Sequence, residues 1–227
     1  MLNERDHAGP DHLDPDSIPG FDREQGHPDP EPDLALLRSY GLGEESTVVD
    51  MGAGTGQFAV PAARHFGRVV AVEVSPAMAR ALRGRADGPD VPAPPECVEE
   101  GFLTYEHEGA PADAVFTRHA LHRLPDFWKA VALRRVADLL RPGGVLLLRD
   151  LVYDFSPEEA DTVFSSWLTA AAGSGAGCTS ADLVEHLRTE HTTFSWLLEP
   201  MLREAGFDIA KKDFTGPTYG TYVCVKA

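Results

Sequence analysis

The chain predicts an α/β fold built on a doubly wound, mostly parallel sheet, and three observations carry that expectation. Residues 47–56, Thr-Val-Val-Asp-Met-Gly-Ala-Gly-Thr-Gly, run from a β-branched strand into three glycines at alternate positions, and Gln57, Phe58, Ala59 and Val60 resume an apolar pattern that opens a helix. Residues 68–74, Arg-Val-Val-Ala-Val-Glu-Val, repeat the buried-strand composition. Their acid, Glu73, lies about 20 residues past the first glycine, where a mononucleotide-binding βαβ unit grips a ribose diol. Finally, strand and helix patterns alternate from residue 34 to about 151, which implies parallel strands covered on both faces.

Each element has a local cause. Residues 34–37 read as a helix entering the first strand. Gly52, Gly54 and Gly56 lack a Cβ, so the backbone can turn sharply and a ligand can lie against its amides. The dinucleotide fingerprint G-x-G-x-x-G needs glycine at 57, and Gln57 stands there, so the spacing favours a nucleoside without a pyrophosphate. Residues 76–86 form the helix after the second strand, with Ser75 as N-cap and Pro76 at the first helical position. The Gly- and Pro-rich segment 87–95 leads to a short third strand at 96–99, and 114–117 is the fourth. In the following helix Trp128, Ala132, Val136 and Leu139 recur at helical spacing, Asp126 caps the start, and Pro142-Gly143-Gly144 ends it. Residues 145–148 are then the fifth strand.

Residues 152–206 interrupt the alternation with helices. Ser156-Pro157-Glu158-Glu159 is a capping box, Thr179-Ser180-Ala181-Asp182 a similar start, and 193–205 a third helix bent by Pro200 and closed by Gly206. A second G-x-G-x-G at 173–177 follows a helix rather than a strand and reads as a hinge. Strands at 207–214 and 219–226 finish the sheet.

At this point the chain resembles the class I S-adenosylmethionine-dependent methyltransferases. Asp50-Met51-Gly52-Ala53-Gly54-Thr55-Gly56 is similar to their first motif, and Glu73 to their ribose-binding acid. Asp113-Ala114-Val115-Phe116, Ala120-Leu121-His122-Arg123-Leu124-Pro125-Asp126 and Leu140-Arg141-Pro142-Gly143-Gly144-Val145 resemble segments around the fourth and fifth strands in the branch that includes quinone-biosynthesis methyltransferases. The resemblance runs from about residue 34 to 152. It implies a Rossmann-like, seven-stranded sheet in the order 3-2-1-4-5-7-6, strand 7 antiparallel, with a helical lid inserted after strand 5 at 152–206. It also implies one methyltransferase domain over 33–227, while residues 1–32, rich in proline and aspartate and poor in apolar residues, read as a flexible acidic arm.

The resemblance further implies S-adenosylmethionine as cofactor, contacted by Asp50, Gly52, Ala53, Gly54, Gly56, Glu73, Val74, Glu100, Gly101, Phe102 and Arg118. Many relatives have Gly-Asp after the third strand where this chain has Glu100-Gly101, which leaves its adenine contact unassigned. The acceptor is expected to be a small molecule methylated on oxygen, nitrogen or carbon. In place of the Asn/Asp-Pro-Pro-aromatic motif of amino-methylating nucleic-acid enzymes stands Arg118-His119-Ala120-Leu121, and no carboxylate and asparagine set of the metal-dependent catechol type is visible. Phe21-Asp22-Arg23 resembles an aromatic-acid-base segment that folds over the cofactor. Phe21, Phe155, Trp167, His191, Phe194 and Trp196 are candidate walls of an apolar acceptor pocket, with packing of the lid helices as the alternative role. His119 and His122 follow the fourth strand at the carboxyl edge of the sheet and are the candidate general bases. For His122, support of the loop is the preferred role.

Composition narrows the partners. At 227 residues and 43% hydrophobic content the chain fits one α/β domain. A net charge of -16 argues against a nucleic-acid substrate and against an anionic membrane surface. A homodimer is compatible with it. Cys97, Cys178 and Cys224 form no CxxC pair, and His7, His12 and His27 lie among aspartates at no metal-ligand spacing, so no metal is expected and the arm reads as solvated. Residues 1–6 lack a signal pattern and no run is long enough to span a membrane, so a cytoplasmic location is expected. Two rival readings remain: a catalytically silent cofactor-binding or scaffold protein, and an NAD(P)-dependent oxidoreductase. The latter would use a Tyr-x-x-x-Lys pair, but Tyr222 and Lys226 fall in the final strand and read as structural.

Overall fold

The computed structural model describes residues 2–20, 28–89, 91, 93–174 and 180–227. Its strands are β1 (Thr47–Met51), β2 (Arg68–Val72), β3 (Glu96–Val98), β4 (Ala112–Arg118), β5 (Leu140–Tyr153), β6 (Thr193–Phe194), β7 (Phe207–Thr215) and β8 (Tyr219–Lys226). They form a sheet in the order β3-β2-β1-β4-β5-β8-β7, with the two-residue β6 paired to β5. Leaving β6 aside, this is the expected 3-2-1-4-5-7-6 order. The last strand runs antiparallel to both neighbours. From β1 the chain winds outward through β2 and β3, then returns to β4 on the other side of β1. The carboxyl ends of β1 and β4 therefore bound a crevice at the switch point.

The apolar strand runs are buried on both faces because neighbouring residues point to opposite sides of a strand. Val49, Met51, Val70, Val72, Val115, Leu146 and Leu148 belong to one core. Val48, Val69, Ala71, Ala114, Phe116 and Leu147 belong to the other. The helices are α1 (Pro10–Leu13), α2 (Glu31–Ser39), α3 (Ala59–Ala62), α4 (Pro76–Ala86), α5 (Asp126–Leu139), α6 (Ala160–Ser174), α7 (Ser180–Thr189) and α8 (Ser195–Glu204). Leu133 and Val136 of α5 and Leu198 and Leu202 of α8 cover the first face. Leu34 and Leu37 of α2 and Leu82 of α4 cover the second. Ser75 caps α4 as expected, its Oγ accepting from the Met78 amide at 3.2 Å.

Four expectations about local structure are corrected. Asp126 does not cap α5, since Pro125 holds the N-cap position. Its carboxylate accepts from Lys129 Nζ at 2.8 Å and from Thr193 Oγ1 at 3.3 Å. Lys129 is only 1% exposed, so Asp126 serves as counter-charge to a nearly buried ammonium. Pro142-Gly143-Gly144 does not end that helix; it lies within β5, where the register against β4 shifts between Ala112 and Ala114. Thr193 and Phe194 do not begin a helix, because they pair in parallel with Val152 and Tyr153 of β5. Residues 4–13 of the arm are not a solvated tail: they form the turn Glu4–His7 and α1, and Glu4 is buried. The Thr179 start and most of the 173–177 hinge lie outside the described residues. Tyr222 is fully buried and Lys226 Nζ donates to the Leu140 carbonyl at 2.6 Å, which makes that pair structural. Among the described residues no helix is long and apolar enough to cross a membrane, and no cluster of His, Cys, Asp and Glu could hold a metal.

The exit from β1 tolerates no side chain. Gly52 has φ +74°, and a Cβ there would sit 2.4 Å from the Ala120 Cβ. Gly52→Ala is expected to destabilise the protein by about 1–3 kcal/mol in urea unfolding, from overpacking and a disfavoured backbone region; unchanged stability would contradict this packing.

Candidate cofactor and active site

The crevice at the carboxyl ends of β1, β2 and β4 holds a cavity with about 940 Å³ of space not filled by protein, counting its open mouth. Its floor is the glycine loop, in which Gly52, Gly54 and Gly56 take φ of +74°, +55° and +82°. The loop is tied to β2 twice. Gly52 and Ala53 donate their amides to the Val72 carbonyl at 2.9 and 3.0 Å. The Glu73 carboxylate then bridges the two loops, Oε2 accepting from the Gly54 amide and Oε1 from the Ser75 amide, both at 2.8 Å. Burial pushes the Glu73 carboxyl above its usual value, while the amides of Ser75, Gly54 and Val74 oppose that shift.

Asp50 lies beside this loop at the end of β1, 2% exposed, and lines the cavity. Among the described residues its Oδ2 has no hydrogen-bond partner. Burial pushes its carboxyl up to about 7; Arg118 opposes this and Glu73 adds to it. A buried acceptor in this state favours a ligand that brings a donor or a positive charge. Arg118, at the end of β4, is fixed from behind: Asp33 of α2 is fully buried and lies 3.6 Å from the Arg118 guanidinium and 2.9 Å from that of Arg149. Arg118 Nη2 also reaches Gln57 Oε1 at 3.4 Å, and its guanidinium lies 5.9 Å from the centre of the Phe116 ring. The wall therefore offers carboxylates and a guanidinium close together, a pattern suited to a zwitterion carrying an extra positive charge.

The two histidines have different surroundings. His119 lines the cavity and has φ +52°, a left-handed conformation shared by no other non-glycine among the described residues. Its Nε2 lies 3.0 Å from the Tyr219 hydroxyl, and the two rings meet edge to face. Burial lowers its pKa to about 4, so it is neutral near pH 7. His122 does not line the cavity. Its Nδ1 lies 2.5 Å from Asp150 Oδ1 and its Nε2 2.8 Å from Glu190 Oε2. Burial disfavours a charge there, yet Asp150 and Glu190 outweigh it and raise the pKa of His122. Asp150 is correspondingly held below the usual carboxylate range despite its burial, chiefly by His122. The catalytic assignment of His122 thus gives way to a strut that fastens residue 190 to β5, because both ring nitrogens face carboxylates.

Of the expected cofactor contacts, Asp50, Gly52, Ala53, Gly54, Glu73, Val74, Glu100, Gly101, Phe102 and Arg118 line the cavity. Gly56 does not; it is packed against α4, where a Cβ would meet Leu82 Cγ at 2.9 Å. Nor do the described acceptor candidates. Phe155 and Phe194 pack on each other at 5.4 Å and on Tyr153, and Phe194 stacks on Trp196 at 5.4 Å. Trp167 is half-buried on α6. The carbonyl of His191 accepts from Lys129 Nζ, and its ring lies 5.6 Å from that of His7. Phe21 lies outside the described residues. Sequence reasoning missed Glu4, His7, Ala8 and His12, which line the cavity from the arm. The arm is fastened across the mouth: Arg5 Nε donates to the Val74 carbonyl at 3.2 Å, and Ser75 Oγ donates to the His12 carbonyl at 2.5 Å. His12 is not solvated, and burial lowers its pKa to about 3.

Comparison with known proteins agrees with this geometry. Residues 48–144 match the model of a family described as a methyltransferase domain. Methyltransferase str2 of Strobilurus tenacellus is 31% identical over 120 residues, 51% of this chain but only 39% of that protein. The uncharacterized methyltransferase GK2543 of Geobacillus kaustophilus is 26% identical over 160 residues, 70% of this chain and 68% of its own length. In fold, the chain is similar to magnesium protoporphyrin IX methyltransferase from Synechocystis PCC 6803, solved with bound S-adenosylmethionine. There the TM-score is 0.62 at 15% identity, covering 98% of this chain and 91% of the other. Residues 48–144 thus match a methyltransferase domain, and the fold is one that S-adenosylmethionine-dependent methyltransferases share.

The raised carboxyl of Asp50 is open to measurement without any ligand. In protein labelled with 13C at aspartate, one carboxyl carbon is expected to titrate near pH 7 and to vanish in Asp50→Asn. A wild-type spectrum in which every aspartate titrates below pH 5 would contradict the burial argument.

Proposed function

We propose that the protein is an S-adenosylmethionine-dependent methyltransferase acting on a small-molecule acceptor. The observation that carries the reading is the Glu73 carboxylate, buried and 2.8 Å from the Gly54 amide at the centre of a glycine loop, beside the buried and unpaired Asp50 oxygen. The residues present fit this cofactor. Glu73 would hold the ribose diol, since the amides of Ser75, Gly54 and Val74 leave part of a carboxylate's capacity of about four lone-pair sites. Asp50 and Arg118 suit the ammonium and carboxylate of the methionine portion. When bound, the cofactor supplies an activated methyl group on a sulfonium.

The chain's own part is to bind, align and shield. The arm and the loop after β4 cover the cavity and keep water from the reacting atoms, which lowers the barrier by positioning alone. His119 is neutral at pH 7 and offers a ring nitrogen that takes a proton from a hydroxyl or amine acceptor, with Tyr219 holding the ring in place. With a pKa near 4 it is a weak base, so its effect belongs at the lower end of general-base contributions, about 10²-fold. The similarity to a porphyrin methyltransferase supports a small molecule as acceptor, and the net charge of -16 argues against nucleic acid. The segment 152–206 is proposed as the cover over the acceptor. The cytoplasm, where the cofactor is made, is the proposed location.

Calorimetry should detect binding of S-adenosylmethionine and none of NAD. Transfer of a radiolabelled methyl group to a panel of phenols, quinols and amines should then single out an acceptor class. With that acceptor, His119→Asn is expected to lower kcat by about 10² with cofactor affinity unchanged. Absence of cofactor binding would overturn the reading, and binding without transfer to any of the panel would favour a non-catalytic protein.

A further inference from the structure

Among the described residues that line the cavity, Glu4 is an acid that no motif announces. It sits on the turn Glu4–His7 and is 7% exposed, although it lies 97 positions before the glycine it touches, Gly101. Its Oε2 accepts from the Leu103 amide at 2.8 Å, and the Phe102 amide also bonds this carboxylate. A Cβ built on Gly101 would lie 2.4 Å from Glu4 Oε2, 2.5 Å from Cδ and 2.6 Å from Oε1. The carboxylate thus fills the volume that a side chain at position 101 would take. The same cavity is also lined by Val74, Met78, Phe102 and Leu124, apolar side chains suited to a flat ring.

Two backbone donors use only part of a carboxylate's capacity of about four lone-pair sites. Glu4 and Gly101 line the crevice beyond the β3 end, and in strand order this is the far side of Glu73 from Arg118. We propose that Glu4 reads the nucleoside base: supplied by the arm in place of the side chain that Gly101 lacks, it accepts a hydrogen bond from the exocyclic amino group of adenine. This rests on the nucleoside reading of the same site. It makes the arm part of the recognition surface, since Arg5 on Val74 and His12 on Ser75 hold the turn that presents Glu4.

The test compares two thioethers by calorimetry: S-adenosylhomocysteine, and the same molecule with unsubstituted purine in place of adenine, which lacks the amino group. Wild type should prefer the adenine compound. Glu4→Gln keeps an oxygen for the Leu103 amide, so it should remain folded. It should bind S-adenosylhomocysteine about ten- to hundredfold more weakly, as for a lost hydrogen bond to a charged group, while binding the purine compound as wild type does. Glu4→Ala should likewise lose the preference. If both variants keep the wild-type preference, or lose affinity for both compounds equally, Glu4 only packs the arm and the proposal fails. A wild-type protein that binds neither thioether overturns the nucleoside reading itself.

Discussion

The site depends on one buried carboxylate that joins two backbone turns. Glu73 stands at the end of β2, where its oxygens accept the amides of Gly54 and Ser75, so one side chain sets the glycine loop after β1 and the start of α4 in a fixed relation. Without an acceptor, two amides in a water-poor crevice would each carry an unmet desolvation cost of about 1–3 kcal/mol. The parallel sheet brings the two turns together because β1 and β2 pair from Thr47 and Arg68 through Met51 and Val72, and both turns leave the same edge. The Val72 carbonyl completes the tie by accepting from Gly52 and Ala53.

Three buried acids line the crevice of this acidic protein, and burial decides how each behaves. Asp50, Glu73 and Glu4 are all pushed toward the neutral form by loss of water, and backbone amides or Arg118 pull each of them back. Such a wall is poised for a cation, which restores the charge that burial disfavours. The opposite balance holds one layer behind. His122 between Asp150 and Glu190, and Arg149 on Asp33, are charge pairs whose partners are supplied within the chain. They stiffen the loop after β4 and hold residue 190 against β5.

The sheet was legible in the sequence because its runs are buried on both faces and punctuated by glycine and proline. The Val-rich stretches at 48–49 and 69–72, the Ser75 cap and the glycine loop follow from local chemistry alone. The rest was hidden where a side chain's role is set by a partner distant in the chain. Nothing near Glu4 indicates that it meets Gly101. Asp126 has the composition of a cap, but a buried lysine one turn on claims it. The aromatic residues Phe155, Phe194 and Trp196 read as pocket walls or as packing, and residue type alone does not reveal that they pack on one another instead of lining the cavity. The Asp150, His122 and Glu190 strut has one sequence signal, an acid at the carboxyl end of β5, which gains meaning only once β4 and β5 are known to be neighbours.

The most direct measurement is a crystal structure of the protein with S-adenosylhomocysteine. The account predicts the nucleoside in the crevice between β1 and β4, its ribose hydroxyls on Glu73 and its methionine portion against Asp50 and Arg118. A ligand seated elsewhere, or a ribose turned away from Glu73 with the Gly54 bridge undisturbed, would contradict it.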